Sequence, residues 1–209
     1  MVTYQLYLIR HGMTQGNADG RYVGRLDLPL CPQGVQGLEA LRTDRGYPEV
    51  DMVYTSPLLR CMQTSDLLFP SAPLTVVEDL TEMSLGDFEG KNFDMLRTSP
   101  AYLEWLENSA DNTPPGALES SREFADRVAV ALNAILMNMS SDHITRAAVV
   151  THGGVIMSLM SRFVMPSRPM GEWAVEFGQG YAIRTSTQMW MRDETFEVIG
   201  HVPQRDKKA

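Results

Sequence analysis

Cysteine is almost missing from this chain: two in 209 residues, Cys31 and Cys61, with no CxxC and no Cys/His pattern. That excludes a disulfide framework and the usual zinc spacings, and the expectation is a pair of free thiols in a cytoplasmic protein. A basic excess is missing too, since 18 Lys+Arg stand against 26 Asp+Glu, for a formal net charge of −8. Proteins that grip nucleic acid or an anionic membrane surface carry a basic excess or stripe, so neither is expected as a partner. A basic pocket could still exist locally. No apolar run approaches the roughly 20 residues that span a bilayer. The N-terminal MVTYQLYLIRHG has no basic leader with an apolar core and a cleavage site, and reads as a first strand. There are no internal repeats or low-complexity tracts, and nothing here fixes an oligomeric state.

What is present is enough for a full core: 44% of residues are hydrophobic, and the 14 methionines read as core filler. Short apolar runs without clean alternation, expected of strands covered on both faces, occur at Tyr4–Ile9, Asp51–Thr55, Leu74–Val77 and Ala147–Thr151. A later group follows at Tyr181–Ser186, Met189–Met191 and Phe196–Ile199. Between them lie helical patterns. Ser56-Pro57 reads as a capping serine before a proline at the first helical position, with the helix running to about Leu68. Ser120 and Glu123 have capping-box spacing, and Phe124, Val128, Leu132, Ile135, Leu136 and Met139 share one helical face. Another helix is expected after Gly153-Gly154, to about Phe163. The alternation implies an α/β fold with a mostly parallel sheet. The polar stretch 84–119, with weaker helical signal around Tyr102–Leu106, reads as an insertion over one end of the sheet and a partial lid. The tail 203–209 is expected to fray.

Two of the strands end alike. LYLIRHG and AAVVTHGG are apolar runs that stop at a His-Gly pair. Ligands of open α/β sheets bind outside the carboxyl ends of the strands. If the two strands are neighbours, spaced by about 4.8 Å, His11 and His152 face each other across a small pocket. A lone histidine at a strand end is usually structural; two in the same local pattern call for a chemical reading. No Asp, Glu or Cys stands in ligand spacing with either, so no metal is expected. A G-x-S-x-G elbow for acyl transfer is absent. A phosphate site fits better: Arg10 offers a planar fork of donors, the glycines admit backbone N–H groups, and Asn17 adds a neutral donor. Histidine can also attack phosphorus and carry it. TSPLLRCMQTS places Arg60 one turn into a helix at the end of another strand, and LTEMSLGDFEG places Glu82 just after a strand and before Gly86.

Taken in order, LIRHGMTQGN, DLPLCPQG, TSPLLRCMQT, LTEMSLGDFEG and VVTHGG resemble the histidine phosphatase superfamily, the phosphoglycerate-mutase-like group. The likeness covers most of the chain. It implies a three-layer α/β/α fold, one domain over 1–209, with the small insertion over the strand carboxyl ends. It implies His11 as the nucleophile, with Arg10, Arg60 and His152 around the transferring phosphate and Glu82 as proton donor. Further phosphate or substrate contacts are implied at Asn17, Gly24 and Gly153, with no cofactor, and with a small phosphorylated metabolite as substrate. Met13, Cys31 and the PPGALES segment depart from the family's commoner residues, none of them at an implied catalytic position.

A mutase of this family uses a longer insertion carrying a lysine and paired arginines. Here Arg97 is the one basic residue from Asn92 to Ser121, so water is the expected acceptor and a phosphatase the expected activity. TEMSLGDFEG and MPSRPMGEW are reminiscent of alpha-ribazole phosphatases, and Tyr102, Trp105 and Leu106 either cover an aromatic substrate or dock the insertion. Mutase-type transfer is the alternative, followed by a non-catalytic phosphate-binding protein, which the completeness of the five implied catalytic residues opposes. His143 and His201 are set aside as exposed structural residues.

Overall fold

A computed structural model describes residues 2–107 and 112–203. The chain runs β1 (Thr3–Arg10), α1 (Gln15–Ala18), α2 (Pro32–Asp44), β2 (Met52–Thr55), α3 (Leu59–Leu68), β3 (Leu74–Val76), α4 (Phe93–Leu96) and α5 (Pro100–Glu107). It continues through α6 (Ser121–Ser141), β4 (Arg146–Thr151), α7 (Gly153–Phe163), β5 (Gly180–Ser186), α8 (Thr187–Asp193) and β6 (Glu197–Val202). The sheet order is β3-β2-β4-β1-β5-β6. The first four form a parallel block, and β5 and β6 are antiparallel additions on one side.

The lack of alternation in β1 and β4 has a direct cause. Leu6, Leu8, Ala147 and Val149 pack into a cluster with α6 and α7, while Tyr7, Ile9, Ala148 and Val150 pack into a second cluster with α2 and α3. Both faces are therefore apolar, and the fold has three layers. β1 and β4 are direct neighbours, with Arg10 opposite Thr151. Their carboxyl ends deliver His11 and His152 side by side.

α6 begins as its sequence indicates: Ser120 Oγ accepts from Glu123 N, the Glu123 carboxylate returns the bond, and all six residues of the apolar face are buried. α7 spans the expected range. α3 does not start at Ser56-Pro57. Its N-cap is Leu58, without a side-chain cap bond; the Ser56 hydroxyl meets His152 Nε2 at 2.8 Å and also accepts from Leu58 N at 3.4 Å. Met189–Met191 is helix, not strand: Ser186 Oγ accepts from Met189 N and opens α8, which closes at Glu194 in the left-handed region (φ 48°). α2 carries little apolar periodicity, with Gly34 and Leu38 its buried residues, and gave no clear signal.

Segment 84–119 forms its own small cluster of Phe88, Leu96 and Tyr102, against which Tyr22, Leu85 and Trp105 pack. Glu119 anchors its far end through Arg127 (2.7 Å) and Arg25 (3.0 Å). Part of this segment, 108–111, and most of the tail expected to fray, 204–209, lie outside the described residues. Among the described residues no helix is long and apolar enough to cross a membrane.

Candidate active site

The site starts from the two strand ends. His11 N donates to Thr151 O at 2.9 Å, locking the ends together, and His152 is the N-cap residue of α7. The two imidazoles stand edge to face with centroids 5.1 Å apart, and both are buried. Arg60, fully buried on the first turn of α3, lies between them. Its Nε donates to His11 Nε2 and its Nη2 to His152 Nδ1, each at 3.2 Å. Two further N–H groups donate to Leu26 O (2.7 Å) and Gly24 O (2.8 Å).

A guanidinium has donors only, so both imidazole nitrogens facing it must carry lone pairs. The proton of His11 then sits on Nδ1, which donates to Gly12 O at 2.6 Å. Burial, then the charge of Arg60, holds the His11 pKa well below its ordinary value. For His152 the causes are burial, then His11 and Arg60. Both rings are neutral near neutral pH, and the His11 Nε2 electron pair accepts from Arg60 Nε.

Arg10 lies over the Phe177 ring, 3.9 Å from its centroid, and Nη1 donates to Val175 O at 2.8 Å. Among the described residues its buried Nε has no hydrogen-bond partner. Glu82 docks on the N-terminus of α7: Oε2 accepts from Gly154 N and Oε1 from Met83 N, each at 2.9 Å. Desolvation raises its pKa despite these two bonds and the nearby Arg60 and Arg10. Position 154 has to be glycine for this contact, because a Cβ there would stand 2.4 Å from Glu82 Oε1.

Asn17 caps α1 reciprocally with Thr14, which occupies its Oδ1 and leaves its amide nitrogen to face elsewhere. Gly24 stands behind Arg60; a Cβ on it would meet Met83 O and Glu89 Oε1 at 2.5 Å. Gly153 packs against the Arg10 guanidinium. A cavity of about 640 Å³ opens over Arg10, Asn17, Glu82 and Gly154, with Met83, Leu85, Trp105, Phe124 and Met157 among its apolar walls. Of the insertion's bulky residues, Trp105 reaches this cavity, Tyr102 is buried in the insertion's own cluster, and Leu106 is exposed.

The sequence reading missed four contributors. Ser56 Oγ meets His152 Nε2 at 2.8 Å, and Thr64 Oγ1 accepts from Gly12 N at 2.9 Å. Phe177 carries Arg10. Glu89 accepts from Arg25 N, Leu26 N and Leu85 N (2.8–3.0 Å), fixing the loop whose carbonyls hold Arg60. Glu89 lies in GDFEG and Ser56 and Thr64 in TSPLLRCMQT, whereas Phe177 lies in none of the quoted motifs. Among the described residues no three His, Cys, Asp or Glu side chains gather as a metal-binding group.

Comparison with known proteins identifies the family. The sequence profile described as "Histidine phosphatase superfamily (branch 1)" matches residues 6–190. A Hydrogenobacter thermophilus protein, provisionally named phosphoserine phosphatase 2, is 35% identical over 162 residues, 75% of this chain and 76% of that one. The adenosylcobalamin/alpha-ribazole phosphatase of Escherichia coli is 31% identical over 185 residues, 86% of this chain and 89% of that protein. An Escherichia coli K-12 crystal structure, provisionally named an alpha-ribazole-5′-P phosphatase, superposes with a TM-score of 0.78 at 28% identity, covering 93% of this chain and 94% of that one. With the profile spanning both histidine strands and the α/β/α layers in common, this chain belongs to the histidine phosphatase superfamily, branch 1.

Proposed function

We propose that this phosphatase is a metal-independent phosphomonoesterase working through a phosphohistidine on His11. The observation that carries the reading is the Arg60 guanidinium held between two imidazole lone pairs, with His11 Nδ1–H committed to Gly12 O. The nucleophilic nitrogen is thereby deprotonated before substrate arrives, and Arg60 Nε releases its electron pair for attack as the guanidinium turns to the phosphate.

In the first step His11 Nε2 forms a bond to phosphorus as the ester P–O bond breaks. Arg10, Arg60 and Asn17 donate to the equatorial oxygens, where charge develops. Glu82, already raised in pKa and raised further by a bound phosphate dianion, gives its proton to the leaving alkoxide. In the second step Glu82 takes a proton from water, the oxygen bonds to phosphorus, and the N–P bond breaks to release phosphate. The product alcohol and phosphate leave His11 neutral and Glu82 protonated again.

Water as the acceptor is supported by the insertion. Arg97, the one basic residue of 92–121, is exposed and lies beside Asp94 rather than on the cavity. In this reading the chain is a single domain, 84–119 is a partial lid, and the two free buried thiols support a cytoplasmic location. The apolar cavity wall favours a monoester with an aromatic or apolar organic part, as in the relatives named for alpha-ribazole phosphate. Mutase-type transfer draws on Arg21 and Arg162 at the cavity wall, where a carboxylate could bind, although both already have partners.

Hydrolysis of an aryl phosphate, alpha-ribazole phosphate, phosphoserine and 3-phosphoglycerate in the presence of a chelator tests the reading. Turnover without metal, lost in His11→Ala with an acid-labile phosphoprotein absent from that variant, is the expected result. Turnover surviving in His11→Ala refutes the nucleophile. Primer-dependent interconversion of phosphoglycerates, outpacing hydrolysis, replaces the phosphatase reading with the mutase.

A further inference from the structure

The two nitrogens of His152 have neighbours of opposite character. Nδ1 faces Arg60 Nη2 at 3.2 Å and Nε2 faces the Ser56 hydroxyl at 2.8 Å. Because the guanidinium cannot accept, Nδ1 holds the lone pair and Nε2–H donates to Ser56 Oγ. An ionised phosphate seated between His11 and His152 reverses the demand at Nδ1. Its oxygens are acceptors, so a lone pair there would face an anion, whereas an N–H would bind it.

A serine hydroxyl both donates and accepts, and it sits on the other ring nitrogen. We propose that Ser56 is a positioning residue that lets His152 exchange tautomers as phosphate enters. Phosphate entering as its monoanion gives its proton to Nδ1 and becomes the dianion, and the Nε2 proton passes to solvent water. The Ser56 O–H turns to donate to Nε2, and Nδ1–H donates to a phosphate oxygen. The ring stays neutral and its proton count is unchanged, and a hydrogen bond persists on each nitrogen in both states. This inference rests on reading His11, Arg60 and His152 as the phosphate site.

An imidazolium is the competing way to place an N–H on Nδ1. The surroundings oppose it: Arg60 and the His11 ring adjoin His152, no carboxylate bonds to it among the described residues, and burial depresses its pKa. The other group against Nε2 is the Cys61 thiol at 3.5 Å, which burial pushes up to about 12 and so keeps neutral. Ser56 is itself fully buried, so water does not substitute for its hydroxyl.

Histidine-15N-labelled protein titrated with inorganic phosphate tests the exchange, with His152 signals assigned through His152→Gln. In the free protein Nε2 is expected to be protonated; with phosphate, Nδ1 becomes the protonated nitrogen and Nε2 does not remain so. Protonation of both nitrogens overturns the inference, as does an unchanged His152 beside shifted His11 signals. No response at either histidine overturns the phosphate-site reading and this inference with it. In Ser56→Ala the tautomer change should disappear and kcat/KM for an aryl phosphate should fall about 10-fold or more, the effect of a buried polar atom left unpaired. A Ser56→Ala protein that still exchanges tautomers, or that keeps kcat/KM within about twofold, refutes the role. Should that variant not fold, the titration of the native protein still decides.

Discussion

Replacing Gly154 by alanine puts a methyl carbon 2.4 Å from Glu82 Oε1, 3.0 Å from Cδ and 3.1 Å from Oε2. Ordinary contact between such atoms needs about 1 Å more. The end of a flexible side chain can yield where backbone could not, so the carboxylate moves and the fold stays. It moves off the N–H groups of Gly154 and Met83 that now hold it at 2.9 Å. Two energies oppose each other in stability. Losing bonds to a charged group costs about 1.5–3 kcal/mol, and alanine for glycine in a helix returns about 1 kcal/mol. The net destabilisation is then about 0.5–2 kcal/mol. Catalysis has no such offset, because a 1 Å displacement of a reacting group costs on the order of 10²-fold. The loss should also depend on the leaving group. An alkyl phosphate needs the proton of Glu82 and should lose about 100-fold in kcat/KM, whereas an aryl phosphate with an acidic phenol should lose less than about 10-fold. Urea unfolding and kcat/KM for both substrates in Gly154→Ala measure these quantities. Equal losses for the two, or activity within threefold of the parent for the alkyl ester, would refute the placement of Glu82 as the acid.

The pKa directions predict the pH profile. Neutral His11 is lost as pH falls through its depressed pKa, and protonated Glu82 is lost as pH rises through its raised pKa. kcat/KM should therefore be bell-shaped, and the basic limb should move in Glu82→Gln; an unmoved limb rejects the assignment. Stability should follow the same histidines. A depressed folded-state pKa favours the unfolded chain as pH falls below about 6.5, by up to about 1.4 kcal/mol per pH unit for each group, so His152→Asn should flatten the acid limb of a urea-midpoint profile. Glu89→Gln removes charge-assisted bonds from the loop that holds Arg60. It should cost about 1–2 kcal/mol in urea unfolding and lower kcat/KM; a variant unchanged in both would show the loop to be self-supporting. Phe177→Leu removes the ring beneath Arg10 and should raise KM for a phosphomonoester about 3- to 10-fold with thermal stability little changed, from a cation–π contact worth about 1 kcal/mol. An unchanged KM would mean that Val175 O alone orients the guanidinium.

The parts of the fold legible in the sequence are those whose signal is local. β1 and β4 show apolar residues on both faces because helices cover both, and α6 writes its start in the Ser120–Glu123 box. Met189–Met191 misled because three apolar-rich residues suit either element; the deciding fact is the Ser186 hydroxyl bonded to Met189 N. α2 was illegible because it rests on the sheet through few side chains, Gly34 and Leu38. Ser56 shows the limit most clearly. A serine before proline at the end of a strand is a sound cap candidate, but its hydroxyl, which accepts from Leu58 N at 3.4 Å, lies closer to a tertiary partner, the His152 ring 96 positions later, at 2.8 Å. Phe177 carries no local mark at all, since Arg10 meets it only when β5 enters the sheet antiparallel to β1.

Topology explains why so few residues suffice to build this pocket. Parallel neighbours place their carboxyl ends at the same edge, so two strands with the same ending present two imidazoles at one spot without any loop having to aim them. A fully buried arginine would ordinarily be costly. Arg60 is stabilised by two carbonyls and two imidazole lone pairs, which are neutral acceptors and not a carboxylate. That choice of partners matters for the proposed chemistry. The Glu82, Asp27 and Glu89 carboxylates act on Arg60 only through space, and its hydrogen-bond partners carry no charge of their own to set against the incoming anion. Glu82, the carboxylate nearest the pocket, is instead tied to the α7 N-terminus and biased toward its protonated form. The positive potential needed to hold a transferring phosphoryl group therefore coexists with an acid beside it. The two are kept apart because one is mounted on α3 and the other on the loop after β3.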